Sequence, residues 1–262
     1  MTDIRHVLLA IAPRGKPAIL DGLAAAWPDV ARRADLTTPR RIAHFLAQVA
    51  HESAGFATTT EYDSGAAYEG RRNLGNTSPG DGKRFKGRGL LQITGRANYG
   101  TYGAALGVNL ESRPEQAALF PVAALTAAEY WREHRLNEAA DRDDVITVTR
   151  KINGGLNGLD SRKTFLARAE KALAGGAPDL LRVAAAESRA KAATATKASL
   201  GASMTSVGAV PAASKASMPP WAGVGLALAL AAVAGFAVWK ARTASSHAKE
   251  LDAAADAAKQ GG

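Results

Sequence analysis

The sequence predicts a mainly helical, all-α protein with a separate apolar helix near its C-terminus, and three observations lead there. Helical periodicity with recognisable caps recurs through residues 1–175. Between two such stretches lies a Gly-rich segment, with seven glycines in the 26 residues from Gly70 to Gly95, too irregular for helix. Beyond residue 175 bulky residues give out until an uncharged run from Trp221 to Trp239. The 262 residues are 47% apolar and 22% charged, which is ordinary for a folded chain and excludes wholesale disorder. The absence of cysteine removes disulfides, Cys-ligated zinc, iron–sulfur clusters and thiol nucleophiles. Any chemistry here uses oxygen or nitrogen groups.

The apolar start, before Arg14, Gly15 and Lys16, lacks the small-residue cleavage site of a secretory signal and reads as a first core helix. The clearest helix is 39–53: Thr38 caps it, Pro39 takes the first position, and Ile42, Phe45, Leu46, Val49 and Ala50 recur on one face. Gly55 stops it. The Gly70–Gly95 stretch predicts a long loop leading into a short extended segment, and long loops in compact domains tend to be functional. Helical patterning resumes after Pro114 through Tyr130 and Trp131. Val145, Val148 and Ile152 then form one more helix face, ended by Asn153-Gly154-Gly155. Asp160 or Ser161 is the expected cap of a further helix burying Phe165, Leu166, Ala169 and Leu173 and ending at Gly175-Gly176.

The first domain therefore spans 1–175. Residues 176–220 read as an Ala/Ser/Thr-rich linker, partly helical around Leu180 to Ala193. Residues 221–239 read as a single C-terminal transmembrane helix: at about 1.5 Å per residue they span roughly 28 Å, close to a bilayer's hydrocarbon thickness. Trp221 and Trp239 suit the two interfaces. The competing reading is a buried Ala-rich helix. Gly223, Ala227, Ala231 and Gly235 form a small-residue stripe that supports weak self-association, although such a stripe arises easily by chance in an Ala-rich segment. Residues 240–262 are the short charged tail. Basic residues after the span put the C-terminus in the cytoplasm and the large domain outside, at the inner membrane. No export signal at the start accounts for that orientation.

The net charge of +9 includes a local cluster: Arg71, Arg72, Lys83, Arg84, Lys86, Arg88 and Arg96, broken only by Asp81. A solvated loop is the bland reading, and contact with an anionic polymer the sharper one. Among motifs, His51-Glu52 fails as a zinc peptidase site because Gly55 stands where the second histidine would be. Gly82-Lys83 and Gly87-Arg88-Gly89 fail as phosphate cradles. No metal or cofactor is expected, and acid–base carboxylates remain. Glu52 closes the 39–53 helix beside its apolar stripe, where partial burial and the negative end of the helix dipole both favour keeping a proton, as a general acid must. Periodicity alone favours a solvated helix-end glutamate. Glu61, nine residues later, and Glu69 are further carboxylates within reach of a shared groove.

Three blocks, AHFLAQVAHESAGF at 43–56, FKGRGLLQITGRANY at 85–99 and KINGGLNG at 151–158, resemble the family 19 chitinases and the chitinase-like endolysins of bacteriophages, over about residues 5–175. The resemblance implies a lysozyme-like helical fold in which two carboxylates flank a glycan cleft and hydrolyse β-1,4 bonds with inversion, without a cofactor. It places Glu52 as general acid and Glu61 as the base for water, with Glu69 in reserve. An inverting pair stands about 6.5–9.5 Å apart. Gln92, Thr94 and Asn98 fall on the family's sugar-binding and water-holding positions, Thr94 on the hydroxyl that orients the water, and Asn153 on an asparagine of the cleft. Tyr68 and Tyr99 are candidates for stacking on sugars, against the commoner role of half-buried core. For Gly87, Gly89 and Gly95 the expected role is turn-making alone.

The expected function is that of an endolysin-type, lysozyme-like hydrolase of peptidoglycan glycan strands, acting in cell lysis, with the membrane helix as a tether. Peptidoglycan is preferred to chitin because the chain lacks cysteines and a separate chitin-binding module, and because its 75–89 loop resembles the endolysin branch. The alternatives are a chitinase and a non-enzymatic, membrane-tethered wall-binding protein. A nucleic-acid partner is not expected, because the charge comes without a recognised motif.

Overall fold

The computed structural model describes residues 3–208 and 220–260; the side chains of 198–208, 220–231 and 233–234 lie outside that description. Two compact units result, residues 1–180 with 258–262 and residues 181–257. The first is built from nine helices among its described residues: α1 (Ile4–Ile11), α2 (Pro17–Arg33), α3 (Pro39–Glu52), α4 (Asp81–Arg84), α5 (Arg96–Leu106), α6 (Val122–Glu133), α7 (Leu136–Asp141), α8 (Val145–Asn153) and α9 (Leu159–Lys171).

The expected 39–53 helix is α3. Thr38 Oγ1 accepts from the Arg41 amide at 3.2 Å, and Pro39 takes the first turn, where its missing N–H costs nothing. Of its apolar stripe Phe45, Leu46, Val49 and Ala50 are fully buried and Ile42 is half-buried, with the Phe45 ring edge-on to Trp131 of α6 at 5.4 Å. Residues four apart share a helix face, so α3 carries a second row, His44, Gln48 and Glu52, and all but Glu52 in that row are fully buried. Arg162 of α9 meets this row. A nearly all-buried α3 follows, flanked by helices on both sides.

The Gly-rich segment is less regular than helix yet anchored. Phe85 at its centre packs with Ile93, Tyr99, Tyr102, Leu110 and Ala117 in a small core of its own. Asp81 pins the loop. Its carboxylate accepts from the amides of Thr77 and Ser78 and from Arg96, whose Nη2 lies 2.5 Å from Oδ1. The expected extended segment is not a strand. Among the described residues only isolated antiparallel bridges form, Thr60 with Arg88 and Arg88 with Ile93, because the chain reverses at Gly89–Gln92 before a ladder can grow. The expected alternation survives that reversal: Leu91 and Ile93 are buried, while Gln92 and Thr94 are partly exposed.

The cap of α9 also differs from expectation. Neither Asp160 nor Ser161 caps it; Gly158, at φ +73°, precedes the helix, and Ser161 is turned to another use. The end at Gly175 holds, with φ +88°.

In the second unit the stretch read as a linker carries the long helix α10 (Ala177–Gly208), and α11 (Pro220–Gln260) continues through the segment read as a tail. The two helices run antiparallel, with Arg182 paired to Asp256 at 3.2 Å and Arg189 to Asp252. Leu181 and Ala185 are buried on one helix and Ala248, Leu251 and Ala255 on the other. Bulky residues are unnecessary here because alanine lets two helices approach closely. Residues 209–219 and most side chains of the expected membrane span 221–239 lie outside the described residues. Among those described, no helix is long and apolar enough to cross a membrane.

Candidate active site

Glu52 is the last residue of α3, with its side chain 22% exposed. Its Oε1 accepts from Arg162 Nη2 at 2.5 Å, and Arg162 Nη1 donates to Gln48 Oε1. Arg162 itself is 1% exposed. A buried guanidinium thus spans two rungs of the α3 row and places a positive charge against the candidate acid, an interaction that burial and the helix dipole alone do not include. Oε2 accepts nothing from the described residues, which leaves that oxygen open to a ligand.

A parallel rung stands beside this one. His51 Nδ1 shares a hydrogen bond with Ser161 Oγ at 3.0 Å, and its ring lies so close over Gly158 that a Cβ there would come within 2.3 Å of Cε1. Burial first, and then the charge of Arg162, depress the imidazole below its ordinary range, favouring the neutral ring. Adjacent pairs, His51–Ser161 and Glu52–Arg162, therefore lock the end of α3 to the start of α9. They also hold the 153–158 turn, in which Asn153 Nδ2 donates to the Asn157 carbonyl at 3.1 Å. Tyr130 of α6 is pushed up to about 12, by burial and then by the charge of Glu52.

From Glu52 the chain turns through Ser53, which is fully buried. Its Oγ donates to the Val49 carbonyl at 2.6 Å and accepts from the Phe56 amide at 3.0 Å. Thr58 Oγ1 donates to the Thr60 carbonyl at 2.6 Å. These bonds fix the path to Glu61. There the backbone amide donates to the Gly87 carbonyl at 3.0 Å, the Gly87 amide returns a bond to Glu61 Oε1 at 2.8 Å, and Tyr68 Oη donates to Oε2 at 2.9 Å. Burial and the bond to Glu61 both raise the Tyr68 phenol above its ordinary value.

Gly87 is not a turn residue in the way Gly89 and Gly95 are, at φ +85° and +91°. Its backbone needs no positive φ; the space its side chain would fill is taken. A Cβ at residue 87 would lie 2.8 Å from Gln92 Oε1 and 3.2 Å from Glu61 Oε2. Gln92 donates through Nε2 to the Gly89 carbonyl at 2.8 Å, Thr94 Oγ1 to the Gln92 carbonyl at 3.0 Å, and Asn98 Nδ2 to the Thr94 carbonyl at 2.7 Å. Glu61 with Tyr68 thus forms one polar pair and Gln92, Thr94 and Asn98 a second series, the two meeting in the space beside Gly87, where Gln92 Oε1 is buried without a hydrogen-bond partner.

Two expected site residues have other work. Tyr99 is fully buried, edge-on to Phe85 at 5.3 Å, with its hydroxyl donating to the Lys86 carbonyl and accepting from Arg88. A sugar ring cannot reach that face; helical spacing with Tyr102 directs the ring to the loop core. Glu69 spends both carboxylate oxygens on the loop backbone, accepting from the Gly80 amide at 2.6 Å and the Gly82 amide at 2.8 Å. Those bonds brace the 80–82 stretch of the loop. Among the described residues no three His, Asp or Glu side chains converge as a metal site requires.

Residues 19–156 match the profile of glycoside hydrolase family 19, described as chitinase class I. The chain belongs to that family. A family 19 domain-containing protein of Haemophilus influenzae is 32% identical over 178 residues, covering 56% of this chain and 86% of the relative. The basic 30 kDa endochitinase of Solanum lycopersicum is 31% identical over 176 residues, covering 53% of this chain and 54% of the plant enzyme; the chain thus spans about half the length of that relative. A solved bacterial family 19 chitinase superposes with a TM-score of 0.55 at 21% identity, over 66% of this chain and 95% of the other, which shows the shared fold. The family 19 chain is accordingly a glycoside hydrolase with the mostly helical, lysozyme-like fold of its relatives.

Proposed function

We propose that the chain hydrolyses β-1,4 bonds in the glycan strand of peptidoglycan with inversion, Glu52 acting as general acid and Glu61 as general base. The observation that carries this reading is the opposite setting of the two carboxylates. Glu52 is gripped through one oxygen at a rigid helix end and leaves the other open, whereas Glu61 is oriented at both oxygens by Gly87 and Tyr68. In the reaction, water attacks the anomeric carbon as the bond to the leaving oxygen breaks. Glu52 gives its proton to that oxygen, Glu61 takes the proton from water, and the new hydroxyl lies on the opposite face. Gln92, Thr94 and Asn98 then bind sugar and water beside Glu61, and Asn153 binds sugar on the α8 side.

Peptidoglycan is favoured by the exposed Arg71, Arg72, Lys83 and Arg84 on the Gly-rich loop, which suit an anionic wall. With that substrate, an endolysin-type role in cell lysis is the physiological role we propose. Chitin is the second reading, supported by the tomato relative's name as an endochitinase. Mass spectrometry of the products released from purified peptidoglycan and from chitin separates them, since the new reducing end names the bond cut. Glu52→Gln is expected to lower activity on the true substrate by about 10²- to 10⁴-fold, with the helical circular dichroism of the folded protein retained although the lost counter-charge of Arg162 lowers the melting temperature; full activity would overturn the assignment. For a membrane tether the support is the apolar run 221–239, with Phe236 and Trp239 exposed side by side and Lys240 Nζ 4.9 Å from the Phe236 ring. Recovery of the full chain in the membrane fraction is the expected result, and recovery in the soluble fraction ends that idea.

A further inference from the structure

Tyr62 directly follows Glu61 and, at 81% exposure, is the most exposed large hydrophobic side chain among the described residues. Its hydroxyl makes no hydrogen bond and its ring no aromatic or cation contact with any of them. Leaving a ring of this size in water forgoes the gain that burial would bring, and a side chain with no contacts ordinarily sits on a loose backbone. Here the backbone is fixed. Lys86 Nζ donates to the Glu61 carbonyl at 3.1 Å and to the Asp63 carbonyl at 2.9 Å, so one ammonium group clamps the chain on both sides of Tyr62. Lys86 is in turn held by its own carbonyl, which accepts from the buried Tyr99 hydroxyl at 2.6 Å. On one side of Tyr62, Glu61 is tied to Gly87 through backbone and side chain; on the other, Asp63 Oδ1 accepts from the Ser64 amide at 2.6 Å.

We propose that Tyr62 is a sugar-stacking platform that binds the apolar C–H face of one N-acetylated amino-sugar ring beside the bond cut, and that Lys86 is the residue that positions it. The inference rests on the reading of this site as one that cleaves glycans. A pyranose ring presents an apolar face and a polar rim, and a tyrosine ring matches the first while leaving the second to polar neighbours. Fixing the platform before the ligand arrives lowers the ordering cost of binding. A phenol ring also loses few rotamers on docking, in contrast to a long aliphatic side chain.

Steady-state kinetics on a hexamer of β-1,4-linked N-acetylglucosamine and on soluble peptidoglycan strands test the platform. Tyr62→Ala is expected to raise KM about tenfold with kcat within about twofold of the native value. Tyr62→Phe and Tyr62→Trp are expected to keep the native KM to within about twofold, because the ring face and not the hydroxyl makes the contact. Lys86→Met is expected to raise KM by a smaller factor than Tyr62→Ala. Calorimetric binding of the hexamer to Glu52→Gln protein, with and without Tyr62→Ala, should show the same tenfold weakening where no turnover occurs. An unchanged KM in Tyr62→Ala, or a loss in Tyr62→Phe as large as in Tyr62→Ala, overturns the platform. Full activity of the single Glu52→Gln variant overturns the acid assignment instead, and the KM of Tyr62→Ala against the native protein then judges Tyr62.

Discussion

Glu52 and Glu61 sit nine residues apart and are held in different ways. The first rides on regular structure: α3 is capped, buried on both faces, and joined at its end to α9 by the His51–Ser161 and Glu52–Arg162 pairs. The second rides on irregular chain and is held by a glycine amide, a tyrosine hydroxyl and a lysine that bonds to neighbouring carbonyls. Helix geometry gives Glu52 its position, and the loop recovers comparable order for Glu61 only through many individual hydrogen bonds. The contrast teaches that a carboxylate outside secondary structure needs a scaffold of its own, here the small core around Phe85 and the bonds to Gly87.

The sharpest way to break the comparison is to neutralise the loop carboxylate. Glu61→Gln is expected to lower kcat by about 10²-fold or more with little change in KM, since a general base contributes about 10²- to 10⁴-fold; full kcat would show that the loop's effort serves something other than water activation. Next comes the link between the two helices. Arg162→Met strips a buried charge from its partners Gln48 and Glu52 and is expected to cost about 3–5 kcal/mol of stability in denaturant titrations, together with a drop in kcat. An unchanged midpoint would mean that apolar packing alone joins α3 to α9.

The smallest effect concerns pH. The hydrogen bond from Arg96, helped by the Ser78 and Thr77 amides, holds the Asp81 carboxyl below its ordinary value of 3.8. A depressed carboxylate contributes stability that is present above that ordinary value and fades as pH falls through it toward the lower folded value. Hydrogen exchange at Thr77 and Ser78 should therefore accelerate, relative to its intrinsic rate, once pH drops below about 4. Arg96→Met should remove that pH dependence from the loop and leave α3 as it was. Equal protection at pH 3 and pH 6 in the native protein would show that the ion pair does not hold the loop.

Much of the helical frame was legible because it repeats. Thr38-Pro39 and the Phe45–Val49 stripe announce α3, and Glu52 falls at its end by counting. Arg162 was hidden, because an arginine in a charged helix reads as solvated, and its partners lie 110 and 114 residues away. Its one visible signal was its position: four residues before Leu166 and seven before Ala169, it lies on the buried face of α9. Gly87 was read as a turn because a glycine's usual value is conformational, whereas this one matters for the atoms it does not have. For Tyr99 the sequence leaves sugar stacking and half-buried core both open, and its three-residue spacing from Tyr102 favours the second, since both lie on the inward face of α5. Glu69 was a reasonable base by composition; only the amides of Gly80 and Gly82 show that it substitutes for backbone pairing the loop lacks.

The imidazole lying across Gly158 separates three look-alike glycines by what each would tolerate. Residue 158 admits no larger side chain without evicting the His51 ring next to Glu52. Residue 154 is constrained only by its left-handed backbone, at φ +71°, and residue 155 by neither space nor conformation. Side chains can therefore be added at 155 beside Asn153 while the mounting of Glu52 on His51, Ser161 and Arg162 is left untouched.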